Sequence, residues 1–241
     1  MGSYLRLEMA RNFRNPVGTI MLVIFPVGLY LLFTRVLNLA QQGQAGDFAA
    51  HSMVSMALYG AMGGALGVIG GAIAMERGKG WLAQLAVTPL PAHGYVTAKL
   101  LAGTAGVLPS IVAVLAAGAL LSGVRLPPGT WPLLVVLILV GVLPFAALGV
   151  ALGYAIEGQA GGLVTMTVYF VLAVLGGLWL PVEAMPEGVR AVAEYSPAYA
   201  AGSLAWGALE GRPPTGASLA LLAAWTLFFA ALALWRYRRA L

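Results

Sequence analysis

The residues best placed to do chemistry lie between two long apolar runs, in the stretch Met75-Glu76-Arg77-Gly78-Lys79-Gly80-Trp81-Leu82-Ala83-Gln84-Leu85-Ala86-Val87-Thr88-Pro89-Leu90. Trp81, Leu82 and Leu85 fall at i, i+1 and i+4, one apolar helix face, and Arg77, Lys79 and Gln84 offer polar contacts around it. Thr88-Pro89 ends the helix, because a residue before proline is pushed out of the α region. Gly78 and Gly80 weaken its start by about 1 kcal/mol each relative to alanine. The chemistry on offer is recognition, an apolar face with a charged rim. Such a face suits a protein partner, and it also suits the lipid interface, where basic amphipathic helices lie.

Other chemistries lack their residues. The phosphate-cradling pattern Gly-x4-Gly-Lys-Ser/Thr is missing: Gly78-Lys79 is followed by Gly80, and position 73 is Ile. The histidines, His51 and His93, stand in separate segments, and no His/Asp/Glu cluster has metal-ligand spacing. There is no Gly-x-Ser-x-Gly, no intramembrane Ser/His or Asp pair, and no cysteine. We therefore expect no catalytic residue, no metal, no cofactor bound by this chain and no enzyme activity of its own.

These residues must be carried by membrane helices. The chain of 241 residues is 61% hydrophobic and 9% charged, against roughly 25% charged in soluble domains. A membrane helix needs about 20 apolar residues, and six such spans are expected: 17–34, 52–75, 96–121, 131–155, 161–180 and 216–235. None holds a charge away from its ends. Carriers driven by protons or ions keep ionisable residues inside the membrane to bind the coupling ion, so energy for transport would have to enter from elsewhere. The first run, preceded by Arg6, Arg11 and Arg14, is long for a signal peptide and lacks a small-residue cleavage site.

With an even span count both termini share a side. That side holds Arg6, Arg11, Arg14, Arg77, Lys79, Lys99, Arg236, Arg238 and Arg239; the other holds Arg35, Arg125, Arg190 and Arg212. Nine cations against four place both termini and the 76–93 loop in the cytoplasm. The net charge of +5 reports topology, not nucleic acid.

The chain reads as one all-α transmembrane domain, residues 1–241, with its lipid bilayer as solvent. Residues 1–15 form an interfacial helix, with Leu5, Met9 and Phe13 on one face. Residues 16–75 hold spans one and two, 76–93 the loop, 94–180 spans three to five, 181–212 short helices re-entering the outer leaflet, and 213–241 the last span and a basic tail. Gly60, Gly64, Gly67 and Gly71 line one stripe of the second span and serve helix packing, since small residues let backbones approach. In the outer segment Glu183, Glu187, Arg190 and Glu194 form one polar stripe, read as a solvated, salt-bridged face. Glu76, at a span end, would fix the loop by pairing with a basic residue on a neighbouring helix.

Two regions resemble the permease subunits of type-2 ABC exporters, the drug, antibiotic and polysaccharide exporter group. In the first, Glu76-Arg77, Gly80, Leu82, Leu85, Thr88-Pro89-Leu90 and Lys99 fall where the family's first cytoplasmic loop expects them. The second is Gly176-Gly177-Leu178-Trp179-Leu180-Pro181-Val182-Glu183-Ala184-Met185-Pro186, followed by Ser196-Pro197. Departures are Gly78 for an acidic residue, Trp81 for a threonine and Ala83 for a glutamate.

The resemblance implies a coupling helix near 80–88, with Glu76, Arg77, Lys79, Gly80, Trp81, Leu82, Gln84, Leu85, Thr88 and Pro89 as the contact set for a cytoplasmic ATPase subunit. It implies two ATPase copies holding ATP and Mg, and a second permease copy, as a homodimer or with a related chain. It implies a path lined by the second and fifth spans, here offering Ser55, Tyr59, Met62, Thr165, Met166 and Tyr169. Without charge on that path, the expected cargo is apolar or amphiphilic: drug, antibiotic or lipid-like, moved out across a prokaryotic cell membrane. The alternative from another class is a membrane scaffold or sensor whose loop docks a cytoplasmic partner without transport.

Overall fold

The computed structural model describes residues 6–10, 16–36, 45–80 and 92–240, and these are helical with no strand among them. A short helical stretch, 6–10, precedes α1 (Pro16–Leu31), which continues as a π-helix over Leu32–Val36. The second long helix is built from α2 (Ala45–Gly64), a π segment (Ala65–Gly71) and α3 (Ala72–Gly78). Then follow α4 (Ala92–Leu121), α5 (Thr130–Gly141) with α6 (Leu143–Ala155), and α7 (Gly158–Leu175). A 3-10 turn (Val182–Ala184), α8 (Glu187–Ala193) and α9 (Pro197–Leu209) lead to α10 (Gly216–Ala240).

Among the described residues, five stretches are long and apolar enough to cross a membrane: Asp47–Gly78, Ala98–Leu121, Thr130–Ala155, Gly158–Leu175 and Gly216–Arg239. The expected span 17–34 falls on α1 and its π extension, where the stretch Leu22–Val36 is apolar. The expected span 161–180 stops early. Gly177, at φ 76, takes the left-handed conformation that side-chain-bearing residues avoid, and the N–H groups of Gly177 and Leu178 bond back to the carbonyls of Val174 and Ala173. That pattern is a Schellman stop, and it explains the paired glycines of the motif.

The second span is the centre of the bundle. Met53, Met56, Leu58, Tyr59, Met62, Leu66, Ile69 and Ile73 are all fully buried. Where α1, α2 and α4 meet, Pro26 has no N–H for the carbonyl of Leu22, and the Ser110 hydroxyl donates to that carbonyl at 2.8 Å. A Cβ on Gly60 would run into Ser110 Oγ and lie 2.9 Å from Pro26 Cγ. In a membrane no water could satisfy the freed carbonyl, so three helices are pinned at one polar point.

The four glycines do not act as one stripe inside this chain. Gly60 and Gly64 pack against α1 and α4, whereas a Cβ on Gly67 or Gly71 would meet nothing within 4 Å. The π segment bonds i to i+5, and the wider turn rotates the later positions off the stripe that α-helical spacing predicts. Gly70 takes over instead: its Cβ would stand 2.6 Å from the carbonyl oxygen of Gly149 on α6.

The segment before the last span is more deeply buried than its chain position suggests. Ser196 accepts a hydrogen bond from the Tyr199 N–H (3.1 Å) and Pro197 takes the first helical turn, a standard helix start. Ala198, Ala201, Leu204 and Ala205 of α9 are then buried at 1% exposure or less. Around them Glu183, Glu187 and Arg190 stay exposed, with Arg190 paired to Glu194 at 2.7 Å.

Replacing Ser110 with Ala removes the donor for the Leu22 carbonyl. The expected loss is about 1–3 kcal/mol, the scale of a buried polar group left unsatisfied. Thermal unfolding of the detergent-solubilised protein would register it, and an unchanged melting point would count against this pin.

Candidate functional site: the loop after the second span

The described part of the loop is its mounting. Glu76, Arg77, Lys79 and Gly80 lie within the described residues; Trp81, Leu82, Gln84, Leu85, Thr88 and Pro89, and the coupling helix expected on them, lie outside. The helix of the second span ends at Gly78, with Lys79 capping it and Gly80 at φ 70, a turn suited to glycine. Lys79 and Gly80 are exposed.

Glu76 turns inward and is 4% exposed. Its carboxylate accepts from Lys99 Nζ at 2.7 Å, and Lys99 also bonds both carboxylate oxygens of Glu8, at 3.0 and 3.1 Å. Glu8 and Lys99 are each 3% exposed. One buried ammonium therefore ties the N-terminal helical stretch, the entry to the loop and the start of the third span. Glu76 thus pairs with a cation on a neighbouring helix. Glu8, in the stretch expected to form an interfacial helix, faces the bundle, while Leu7 is 57% exposed.

Arg77 also points into the chain. Its guanidinium donates to the carbonyls of Tyr154 (2.6 Å) and Gly153 (3.3 Å) and pairs with Glu157 Oε1 at 2.6 Å. Those carbonyls belong to the last turn of α6, which has no intrahelical donors for them. The guanidinium lies 5.6 Å from the centroid of the Tyr154 ring, and that ring packs edge-on against Tyr237 of α10. Arg77 is therefore engaged by the junction of α6 and α7.

The residues suggested for a substrate path separate into three settings. Tyr59 and Tyr169 meet, with stacked rings 4.6 Å apart and the Tyr169 hydroxyl donating to the Tyr59 carbonyl at 3.0 Å. Phe170 and Trp179 complete the aromatic cluster. Ser55 is buried elsewhere on α2, accepting from Trp206 Nε1 at 3.0 Å and donating to the His51 carbonyl. Met62 lies in the core, Thr165 bonds back to Gly161 at 2.7 Å, and Met166 is 56% exposed on α7. Spans two and five are brought together at Tyr59 and Tyr169, but the six residues do not line one surface.

Sequence reading passed over Glu157, Phe170, Trp179 and Trp206 as members of these clusters. Glu157 had a signal: it is the one charge between two apolar runs and lies within a few residues of a glycine pair. The aromatic residues had none, because their partners are distant in sequence.

Replacing Lys99 with Met would leave two buried carboxylates without this ammonium. Losing one partner of a buried ion cluster costs about 3–5 kcal/mol. We expect little monodisperse protein on size-exclusion chromatography, and recovery when Glu8→Gln and Glu76→Gln are added. Full stability of the single variant would contradict the burial of this cluster.

A profile described as ABC-2 family transporter protein matches residues 32–235. The chain is also 32% identical over 222 residues to "Putative transport permease YvfS" of Bacillus subtilis (strain 168), covering 92% of this chain and 90% of that protein. Matched over most of its length by the profile and by a permease alike, and built from apolar helices around a buried second span, the chain belongs to the ABC-2 transporter family as a multi-pass permease subunit of the cell membrane.

Proposed function

We propose that this permease is the membrane half of an ATP-driven exporter, with the loop after the second span as the inlet for energy supplied by a separate ATPase. The observation that carries the reading is the mounting of that loop. Glu76 and Lys99, on either side of it, are bonded to each other, and Arg77 ties its entry to the fourth and fifth spans. A loop that only joined two spans would not need buried charges at both of its roots, since each buried ion carries a desolvation cost of several kcal/mol. A loop that receives force does need stiff roots.

In this reading both termini and the loop are cytoplasmic, α1 with its π extension is the sixth span, and the segment 181–212 re-enters the outer leaflet. Two permeases, as a homodimer, bind two ATPase subunits that hold ATP and Mg. Lys79, Gly80, Trp81, Leu82, Gln84, Leu85, Thr88 and Pro89 form the contact with the ATPase, while Glu76 and Arg77 hold that contact to the bundle. The cargo is apolar or amphiphilic, passing between the second and fifth spans, where the described path residues carry no charge. The empty span interiors also argue against ion coupling.

The test is co-purification with the ATPase. Trp81→Glu or Leu85→Glu should weaken the complex by about thirtyfold, the scale of a lost aromatic or apolar anchor. Stimulation of ATP hydrolysis should disappear with it. If the variants leave complex and hydrolysis unaltered, the loop is not the inlet. If the ATPase binds but its activity ignores the permease, a scaffold or sensor subunit is the better reading.

A further inference from the structure

The helix that delivers the loop is seated on the fifth span without cushioning. A Cβ on Gly78 would lie 3.2 Å from both the Cα and the nitrogen of Gly158. One on Gly161 would lie 2.8 Å from Ala74 Cβ. Ala74 and Gly78 are one turn apart on α3, and Gly158 and Gly161 form the first turn of α7, so the two helices touch through backbone and one methyl group. Long side chains between helices can change rotamer and absorb a shift; close-packed backbone cannot.

Arg77 locks the same place from the side. Its three bonds join α3 to the last turn of α6 and to Glu157 in the linker. That linker is short: Ile156 (φ −134, ψ 130) and Glu157 (φ −95, ψ 154) are extended, and Gly158 at φ 66 turns the chain into α7. Beyond the first turn α7 is held lightly. Leu163 is 64% exposed, Met166 56% and Val171 49%. Its direct polar attachment to the second span, among the described residues, is the bond from Tyr169 to the Tyr59 carbonyl.

We propose that Arg77, Glu157 and the Gly78–Gly158 contact form the joint that passes movement of the loop to the fifth span, with Gly158 as its pivot. The inference rests on the exporter reading above and assigns positioning roles: Glu157 acts by holding Arg77, and Arg77 by holding the end of α6.

The chain has no cysteine, so a single Gly162→Cys, at an exposed position with nothing within 4 Å of its Cβ, reports on the start of the fifth span. Its labelling rate by a membrane-impermeant maleimide is measured in the permease–ATPase complex in nanodiscs, nucleotide-free and trapped with ATP and vanadate. The rate should differ between the two states. Arg77→Gln and, independently, Gly78→Val should abolish the difference, and Gly78→Val should do so while the ATPase remains bound and hydrolyses ATP. Arg77→Lys, which keeps a charge for Glu157 but loses the fork to the carbonyls, should restore part of it. If Gly78→Val does not fold, Gly78→Ala takes its place, since its Cβ asks Gly158 to give only slightly.

A difference that persists at full size in Arg77→Gln and the Gly78 variant overturns the joint and leaves the exporter reading intact. So does a wild-type complex that hydrolyses ATP with no change in labelling. If the unaltered permease binds no ATPase, the exporter reading falls and takes the joint with it.

Discussion

The end of the bundle that carries the loop depends on how one ammonium group is buried. Lys99 sits at 3% exposure with the carboxylates of Glu8 and Glu76 around it. An ion removed from water at such a site is tolerated only when its partners are fixed and close. Three chain segments far apart in sequence must therefore arrive together: the N-terminal stretch, the end of the second span and the start of the third. Such a cluster adds little net stability against an apolar substitute of the same shape. What it adds is registry, because any displacement of one segment separates charges that have no water to turn to.

The second constraint is steric. The described helices meet the second span at several points through small residues: Gly60 with Pro26 and Ser110, Gly70 with Gly149, and Gly78 with Gly158. Lipid tails are as apolar as leucine, so helices in a membrane gain mainly from close packing and internal hydrogen bonds. The π segment Ala65–Gly71 divides this span into two parts that face different neighbours. One part packs on α1 and α4, the other on α6 and α7. Polar bonds secure both, Ser110 to the Leu22 carbonyl and Arg77 to the end of α6. Between them, the Tyr59–Tyr169 contact is the place where spans two and five meet through aromatic side chains.

Much of this was legible from residue types. The all-helical class, five of the six expected spans and the family followed from apolar run length, the loss of charge and two motifs. Gly176-Gly177 was legible only as part of a motif, and the span expected across it ends there, because Gly177 takes a left-handed turn. The need of Glu76 for a basic partner was legible as well, since a carboxylate at a span end requires one. Its identity was not: Lys99 lies 23 residues on, past a loop. The glycine stripe was read on α-helical spacing and divided because a π turn changes the angular step, which composition does not announce. Arg77 was read as a polar contact beside the loop, and its bonds to the α6–α7 junction were not legible. An arginine beside a polar loop looks the same whichever way its side chain turns.

By itself, then, the sequence determined the all-helical class, where five long apolar stretches run, and that their interiors carry no charge. These are properties of local chemistry: hydrophobic length, backbone preference and the cost of charge in hydrocarbon. Only the tertiary structure decided which charges share one buried site, which glycines meet backbone to backbone, and that Arg77 joins the loop to the fourth and fifth spans. Those outcomes depend on distances between residues that the chain separates by tens of positions. The close packing that brings them together belongs to all the helices at once.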